Sequence, residues 1–600
     1  MKKILVVVVL MVSLAAHAST ESDSLYQLAW RKFNAKEYAV AGDLFEKSIK
    51  AGHNWPGTYL NAASSWAQAA NKDKTFENLF KMIEAGYTDK QFVVDNFSEF
   101  SQYYDSEEWK RWVKMMDAKI AAFRNYSKLA DFQKLTKEQM YNDFDTLVNT
   151  IVRNSPHLMV RQKVCGLDYE TIFRDMRKEI AGYSSSKQFA LLIKRALLVC
   201  QDGHTSLIQL NPLELLSDGQ TMETCAAIAK YEQLFYDNHV WNINLPKLIY
   251  DKGNYYTRSE YPYKDGTIPP KSKLIAVQGL SPTNYLSANL DRKGYLSWDF
   301  DHRCFYSDWL LQNDIVNDTT LRLTFLVNKK RQNLAVDLSF GDKLKPEILS
   351  LKTNRDTAKV NKGGFVTYWK EAKVFYIRIP EMINEDGYAK EIIKHHQDDI
   401  EKVVIDVRGN PGGSDNVWMN VLAAISSDTI PIWMKIAYPR SLKGKDMTFV
   451  AAENFKELNL VYRLGHWTLD QKNDSSLTFK GPVYVLYDEY TFSAAGSLVS
   501  ACYYSDKLIA VGHSTGRILG FGSDPVEYRL PNTKIRYRIA PVLDITNCNT
   551  YKDIFHDEPE LKVPLSLDDK LLLKTNPFTP EFLKNKDPYL KLVLNHKLGA

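Results

Sequence analysis

A strand that turns sharply into a helix is the feature that most constrains this sequence. Residues 481–500 read GPVYVLYDEYTFSAAGSLVS, and the run from Pro482 to Tyr487 is apolar, β-branched and aromatic, which is typical of a strand covered on both faces. Small residues around Ser493 open the helix, whose unpaired N–H groups and partial positive charge would stabilise an oxyanion. The same pattern is typical of an ordinary strand-to-helix turn with a capping serine. Two distant segments help to decide between a catalytic serine and a capping serine.

The first segment is a glycine-rich turn, and the second contains a histidine. Residues 402–413 read KVVIDVRGNPGG, an apolar strand that ends in a turn with three glycines, which can bend freely and aim its N–H groups inward. Residues 201–205 read QDGHT and follow a helical run, so His204 stands at the end of that helix. A serine, a histidine and a flexible turn are the parts that nucleophilic catalysis by a hydroxyl needs.

These motifs together resemble a known family. DVRGNPGG at 406–413, TFSAAG at 491–496 and DGHT at 202–205 stand in the order and spacing of the C-terminal processing (tail-specific) serine peptidase family, and the histidine is similar to that of its tricorn-like branch. The resemblance covers roughly residues 130 to 570. It implies a serine endopeptidase that acts through an acyl-enzyme on a polypeptide substrate, without a metal or cofactor.

The resemblance also implies roles for individual residues. Ser493 matches the nucleophile and His204 the general base, while Asp553, in the acidic segment 553–560, matches the acid that orients the base. The oxyanion hole would use the backbone N–H of Ala494 and one from Gly412 or Gly413. Asp202 and Arg408 are expected to serve turn geometry rather than chemistry.

Several of these assignments have competitors in the sequence. In the processing branch of the family a lysine takes the proton, but the corresponding segment 512–520 has none, and Arg517 stays protonated at working pH. His513 is therefore the alternative base, and Glu558 is the alternative orienter. Gly496 departs from the acidic residue that most relatives have at its position. With His204 as the base, the rate is expected to rise with a pKa near 6 to 7.

Length, charge and cysteine content restrict the remaining function classes. The chain has 600 residues and 44% hydrophobic content, enough for three to five domains with their own cores. Its 77 basic and 72 acidic residues are nearly balanced, so nothing indicates a nucleic-acid partner. Residues 1–18 are typical of a secretory signal cleaved after Ala18, and no later segment has the length of a membrane span. We therefore expect a periplasmic or secreted protein, whose six cysteines either form disulfides or remain buried thiols.

The chain divides into regions of different pattern, and we predict a multidomain α/β protein. Residues 41–52 align with 75–86 at an offset of 34, the tetratricopeptide period, so two repeats are expected, either packing locally or binding a protein partner. Strand pattern begins at Lys273, with an apparent hairpin on both sides of 328–333 that resembles a PDZ domain. The predicted regions are a signal peptide (1–18), a tetratricopeptide-like helical domain (19–125), a helical cap (126–212), a PDZ-like β-rich domain (213–350) and an α/β, ClpP/crotonase-like catalytic core (351–600).

Two other functions fit the same sequence. A non-catalytic peptide-binding protein could use the same fold, and the irregular Gly496 favours that alternative. A scaffold could use the helical repeats, with the core serving only to stabilise them. A serine-directed probe would distinguish these alternatives from the peptidase, because only a peptidase would be modified at Ser493.

Overall fold

A computed structural model describes most of the chain. The described residues are 21–597, except for these positions: 88, 130, 209–220, 238–244, 265, 313–319, 339–362, 384, 396–398, 427–428, 443–449, 452, 470–476, 518, 520–524 and 577. The predicted signal peptide lies outside the described residues. Within them, no helix is both long and apolar enough to cross a membrane.

The N-terminal region is a series of helices, as the repeat pattern predicts. They are α1 (Glu21–Asn34), α2 (Tyr38–Lys50), α3 (Pro56–Gln68), α4 (Lys72–Glu84), α5 (Lys90–Asn96) and α6 (Glu107–Leu129). The first four pack as two successive helical hairpins. Gly42 lies against Trp66, where a Cβ atom would be 2.6 Å from the indole ring, so close packing of α2 and α3 depends on this glycine. Their pattern predicted helices, and this part of the prediction is confirmed.

Helix α6 runs across the domain boundary that the sequence suggested after residue 125. It ends at Leu129 and packs through Phe123 against Cys225 and Ile228 of a later helix, α11 (Met222–Asp237), which comes after a four-helix segment. Because buried apolar contacts cross the predicted boundary, the N-terminal helices are tied to the rest of the protein.

The next segment brings the histidine motif to the core. It consists of α7 (Lys137–Asn154), α8 (Pro156–Cys165), α9 (Tyr169–Glu179) and α10 (Ser186–Leu198). A side chain at each N-terminus accepts a backbone N–H, with reciprocal capping boxes at Thr136 and Ser185. Directly after α10 comes β1 (Ser206–Leu207), which pairs with β20 (Arg536–Ile539) of the C-terminal part, and β20 pairs with β19 (Val526–Arg529).

A five-stranded antiparallel sheet forms the middle of the chain. Its order is β10-β9-β6-β3-β2, from Lys330–Asp337, Thr320–Val327, Lys273–Val277, Asn254–Thr257 and Leu248–Asp251. The predicted hairpin is present, with a tighter turn at Asn328 and Lys329, and Ser281 caps the N-terminus of α12 (Pro282–Ser287). Two short hairpins complete this region: β4 (Tyr261–Tyr263) with β5 (Gly266–Ile268), and β7 (Ser297–Asp299) with β8 (Cys304–Tyr306).

The C-terminal part is an α/β layer built on a six-stranded sheet. The order is β11-β12-β13-β17-β18-β22, from Phe365–Trp369, Val374–Arg378, Lys402–Asp406, Val483–Leu486, Leu508–Gly512 and Leu561–Lys562. β11 is antiparallel to β12 and the other pairs are parallel. The four central strands β12, β13, β17 and β18 are buried on both faces, as their continuous apolar runs predicted.

Helices cover both faces of this sheet. One face packs on α13 (Gly387–Ile393), α14 (Asp415–Ile425) and α15 (Ala494–Cys502), and the other on α16 (Leu567–Thr575), α17 (Pro580–Lys586) and α18 (Pro588–Asn595). A separate sheet contains β14 (Ile430–Pro439), β15 (Val450–Ala451), β16 (Leu460–Leu469) and β21 (Leu543–Asp544). The six cysteines form no disulfide with one another, so of the two states left open by the sequence the structure shows thiols.

Candidate active site

Ser493 occupies a strained position between β17 and α15. Its φ is +55° and its ψ is −126°, values that a non-glycine residue rarely adopts, and it directly precedes the first helical residue, Ala494. Two hydrogen bonds join the turn before Ser493 to the glycine-rich turn. Thr491 Oγ1 donates to the Val407 carbonyl, and the Phe492 N–H donates to the Asn410 carbonyl. Neighbouring contacts therefore hold the strained serine in place.

His204 contacts Ser493 although 289 residues separate them in the chain. The distance from His204 Nε2 to Ser493 Oγ is 3.1 Å, and the imidazole lies 4.4 Å from the ring of Phe492. For Nε2 to accept the serine proton, the neutral imidazole must carry its own proton on Nδ1. Both side chains are half-buried.

The loop around His204 is held by Asp202. The Asp202 carboxylate accepts the backbone N–H of His204 at 2.7 Å, and also the N–H and hydroxyl of Thr205, each at 2.5 Å. Gly203 has a φ of +79° and faces Phe492, where a Cβ would lie 2.9 Å from the ring. The loop therefore needs both the aspartate and the glycine of the DGHT motif, and the expected turn role of Asp202 agrees with these contacts.

Gln201 ties the same loop to the middle region. Its buried side-chain amide donates to the backbone carbonyls of Leu290 and Lys293 and accepts the backbone N–H of Leu296. The backbone carbonyl of Gln201 accepts a hydrogen bond from Arg161 Nη2. Since these bonds come from two other segments, the position of His204 depends on how the regions pack together.

Burial lowers the pKa of His204 to about 4, whereas the Asp202 carboxylate acts in the opposite direction. His157 and Arg538 lower the pKa further. The sequence predicted a pKa near 6 to 7. With the lower pKa, the imidazole stays neutral at more acidic pH than that prediction implied. The reason is tertiary, because the desolvation comes from segments far away in the chain.

The glycine-rich turn lies directly against Ser493. A Cβ on Gly412 would be 2.5 Å from Ser493 Cβ and 3.1 Å from the Ala494 nitrogen, so only glycine fits. The N–H of Gly412 is donated to Asn410 Oδ1 at 2.8 Å. Among the described residues the N–H groups of Gly413 and Ala494 have no acceptor. Of the two glycines proposed for an oxyanion hole, Gly413 is therefore the one with a free donor.

The conformation of this turn is maintained by a buried ionic cluster beneath it. The Asp406 carboxylate accepts from the backbone N–H, Nε and Nη2 of Arg408 at 3.0, 3.0 and 2.6 Å, and from the hydroxyl of Tyr376 at 2.5 Å. Burial tends to raise the pKa of Asp406. Arg408 and Arg378 outweigh that effect and hold the pKa at about 2. Arg408 thus has the turn role that the sequence predicted.

Contacts do not join the predicted acidic orienters to His204. Asp553 accepts the N–H groups of Asn549 and Thr550 and so caps its own short turn, and Glu558 is exposed and pairs with Lys562 at 3.2 Å. Within the described part of the chain, His204 Nδ1 has no hydrogen-bond partner. The acid of this segment that is buried is Asp557, which accepts the N–H of Thr515 at 2.9 Å. Burial raises the pKa of Asp557 to about 7.

The competing base, His513, is engaged elsewhere. Its Nδ1 lies 3.1 Å from the hydroxyl of Tyr589, and its Nε2 lies 3.4 Å from Glu489 Oε2. Neither ring nitrogen therefore faces Ser493.

Two residues of the site did not stand out in the sequence. Asn410 supports the glycine-rich turn twice, since its Nδ2 donates to the Ile379 carbonyl and its Oδ1 accepts Gly412 N–H. Phe492 packs on His204 and on Tyr295, at 4.4 and 4.6 Å between ring centres. The sequence Asn-Pro-Gly-Gly could have indicated the turn role of Asn410, because asparagine often stabilises turns. A single phenylalanine gives no such indication for Phe492.

Comparisons with known proteins agree with this chemistry. Residues 373–553 match the sequence model of peptidase family S41, and this range includes the glycine-rich turn, Ser493 and Asp553 but not His204. No curated protein matches the chain.

Similar solved structures cover much of the chain at low identity. Mature CPAF complexed with lactacystin is 14% identical, with 72% of this chain and 95% of that chain covered and a TM-score of 0.45. The photosystem II D1 C-terminal processing protease is 13% identical, with 72% and 96% covered and a TM-score of 0.33. Tricorn protease is 11% identical, with 74% and 36% covered and a TM-score of 0.22.

At such identities and TM-scores, the assignment depends on the sequence match over residues 373–553. By that match, the chain is a serine-type peptidase.

Proposed function

We propose that the protein is an exported endopeptidase in which Ser493 is the nucleophile and His204 the general base, and that it cleaves extended or unfolded polypeptides. The observation that carries the proposal is the 3.1 Å contact between His204 Nε2 and the hydroxyl of a strained, half-buried serine. A nucleophile and base within hydrogen-bond reach are what acyl transfer by a serine requires.

The reaction follows from the groups around Ser493. As Oγ attacks the scissile carbonyl carbon, its proton passes to His204 Nε2, and the carbonyl oxygen takes the negative charge. The N–H groups of Ala494 and Gly413 stabilise this oxyanion because both lack an acceptor among the described residues and the glycine-rich turn lies directly against Ser493. His204 then protonates the leaving amine, and water attacks the acyl-enzyme by the reverse steps.

The burial of the site favours extended substrates. Ser493 and His204 are both half-buried between the glycine-rich turn and the DGHT loop, so a compact folded surface would have difficulty reaching the hydroxyl. An extended segment exposes its backbone carbonyls and can approach a half-buried hydroxyl more easily. The same proposal includes two binding regions. The five-stranded sheet would be a PDZ-like domain that binds peptides, and the N-terminal hairpins would be tetratricopeptide-like repeats that bind a protein partner.

Labelling by a fluorophosphonate tests the assignment of Ser493. We expect the wild-type chain to be labelled and Ser493→Ala to lose the label completely, because the hydroxyl is the attacking group. Ser497→Ala is the matched control, since Ser497 lies one turn further along α15 and is 1% exposed. Equal labelling of wild type and Ser493→Ala would refute the assignment. Absence of labelling from both would favour the peptide-binding or scaffold alternative.

The pH dependence of labelling tests the environment of His204. Protonation at Nε2 removes the acceptor for the serine proton, so the rate should fall as the pH decreases through the pKa of His204, about 4. We therefore expect a labelling rate that changes little between about pH 6 and 7, the range of an unperturbed histidine. A midpoint in that range, measured on protein shown by circular dichroism to be folded, would contradict the desolvated position of His204.

A further inference from the structure

Three ring contacts connect His204 to the middle region. The centre of its imidazole lies 4.4 Å from the ring centre of Phe492, which in turn lies 4.6 Å from the ring centre of Tyr295. The guanidinium of Arg517 lies over the Tyr295 ring, with Cζ 4.5 Å from the ring centre. Each of these four side chains therefore contacts the next, and the series ends at the imidazole that contacts Ser493.

Tyr295 is held in an unusual conformation between α12 and β7. Its φ is +56°, a value that a non-glycine residue seldom adopts. The side-chain amide of Gln201 holds the residues on both sides of it, because it donates to the Lys293 carbonyl at 2.5 Å and accepts the Leu296 N–H at 2.9 Å. Gln201 stands three residues before His204. The same glutamine thus connects the histidine loop with the segment that carries Tyr295.

The two aromatic rings also pack closely against the histidine loop itself. A Cβ placed on Gly203 would lie 2.9 Å from the ring of Phe492 and 3.3 Å from Cδ2 of Tyr295. No room for a side chain is therefore left between the loop and the two rings. Such close packing transmits a displacement of either ring to the loop.

The far end of the series is fixed by hydrogen bonds. Arg517 is buried, and its Nε donates to Ser297 Oγ at 2.7 Å while its Nη1 donates to the Glu489 carbonyl at 2.9 Å. A guanidinium over an aromatic face is attracted by the ring quadrupole. Arg517 therefore holds Tyr295 from the side of the core.

The base of a serine–histidine pair needs a third group to orient it. The two acids expected in that role are engaged elsewhere, since Asp553 caps its own turn and Glu558 pairs with Lys562. The ring of Phe492, by contrast, lies directly against the imidazole. Packing on that ring restricts rotation of the imidazole.

We propose that Tyr295 is a positioning residue, which holds Phe492 against His204 and thereby keeps the imidazole at the hydroxyl of Ser493. The inference rests on the proposed role of His204 as the general base. Aromatic pairs are favourable at particular distances and tilts, and a displacement of about 1 Å at a reacting group slows a reaction about a hundredfold. Since Tyr295 belongs to the middle region, that region contributes to the assembly of the active site.

The rate of labelling by a fluorophosphonate tests the proposal in two variants of Tyr295. We expect Tyr295→Ala to slow labelling of Ser493 about tenfold or more, because the support of Phe492 is lost. Tyr295→Phe keeps the ring and should stay within about twofold of the wild type. A wild-type rate in Tyr295→Ala, or an equal loss in Tyr295→Phe, would overturn the proposal.

Phe300→Ala is the matched control. Phe300 belongs to the same region, but its ring stacks on His556, with 3.6 Å between the ring centres. The variant therefore loses an aromatic pair that does not involve Phe492. We expect a labelling rate near that of the wild type, with thermal unfolding measured to show that all variants are folded. A loss as large as that of Tyr295→Ala would show a general effect of packing and overturn the proposal.

A double-mutant cycle separates an effect on the base from an effect on the serine. If Tyr295 acts through the imidazole, adding Tyr295→Ala to His204→Ala should change the labelling rate by less than about twofold. A tenfold loss that persists without the imidazole would show that Tyr295 acts elsewhere, and this inference alone would fall. Labelling of the single variant His204→Ala at the wild-type rate would overturn the proposed base, and this inference with it.

Discussion

Replacing His204 with alanine is expected to slow acylation of Ser493 about a hundredfold or more, the usual loss when general-base assistance is removed. The reason is the 3.1 Å contact from Nε2 to the serine hydroxyl, and no second base is within reach in the described part of the site. The rate constant for labelling by a fluorophosphonate, measured on the purified chain, checks this value.

His513→Ala is the control for that experiment. His513 was the competing base in the sequence, yet its ring nitrogens contact Tyr589 and Glu489, so its removal should change the labelling rate only a few-fold. A labelling rate that survives His204→Ala and falls in His513→Ala would reverse the assignment of the base.

Replacing Gly412 with alanine is expected to reduce acylation about a hundredfold, because a displacement of about 1 Å at a reacting group costs that much. The added methyl would lie 2.5 Å from Ser493 Cβ and 2.9 Å from the Phe492 carbonyl oxygen, so Ser493 or the turn must move. The φ of +104° at Gly412 adds strain that an alanine would carry.

Gly409→Ala separates the steric effect from the backbone effect. Gly409 belongs to the same turn and also has a positive φ, +71°, but nothing lies within 4 Å of a Cβ placed there. We expect this variant to lose about 1 kcal/mol of stability from left-handed strain and to keep a labelling rate near that of the wild type. Thermal unfolding and labelling of the two variants side by side measure both effects. Equal labelling rates for Gly412→Ala and Gly409→Ala would contradict the steric explanation.

Local sequence predicted the secondary structure of the core well. The run from Pro482 to Tyr487 became β17, the small residues after Ser493 became α15, and the apolar run before Asp406 became β13. Such elements depend on patterns of neighbouring residues, which a single sequence contains. The strands β2 and β3 do not lie in an apolar run of that kind. Helix α6 crosses the predicted boundary after residue 125 and continues to Leu129.

The sequence by itself determined which residue types stand at the site: a serine at a strand-to-helix turn, a histidine in DGHT and glycines after Asp406. Only the tertiary structure decided how they are used. Gly412 N–H is taken by Asn410, Asp553 caps its own turn, and burial gives His204 a low pKa. The physical reason is that desolvation and hydrogen-bond partners come from segments hundreds of residues apart, and motif spacing along one chain does not contain that information.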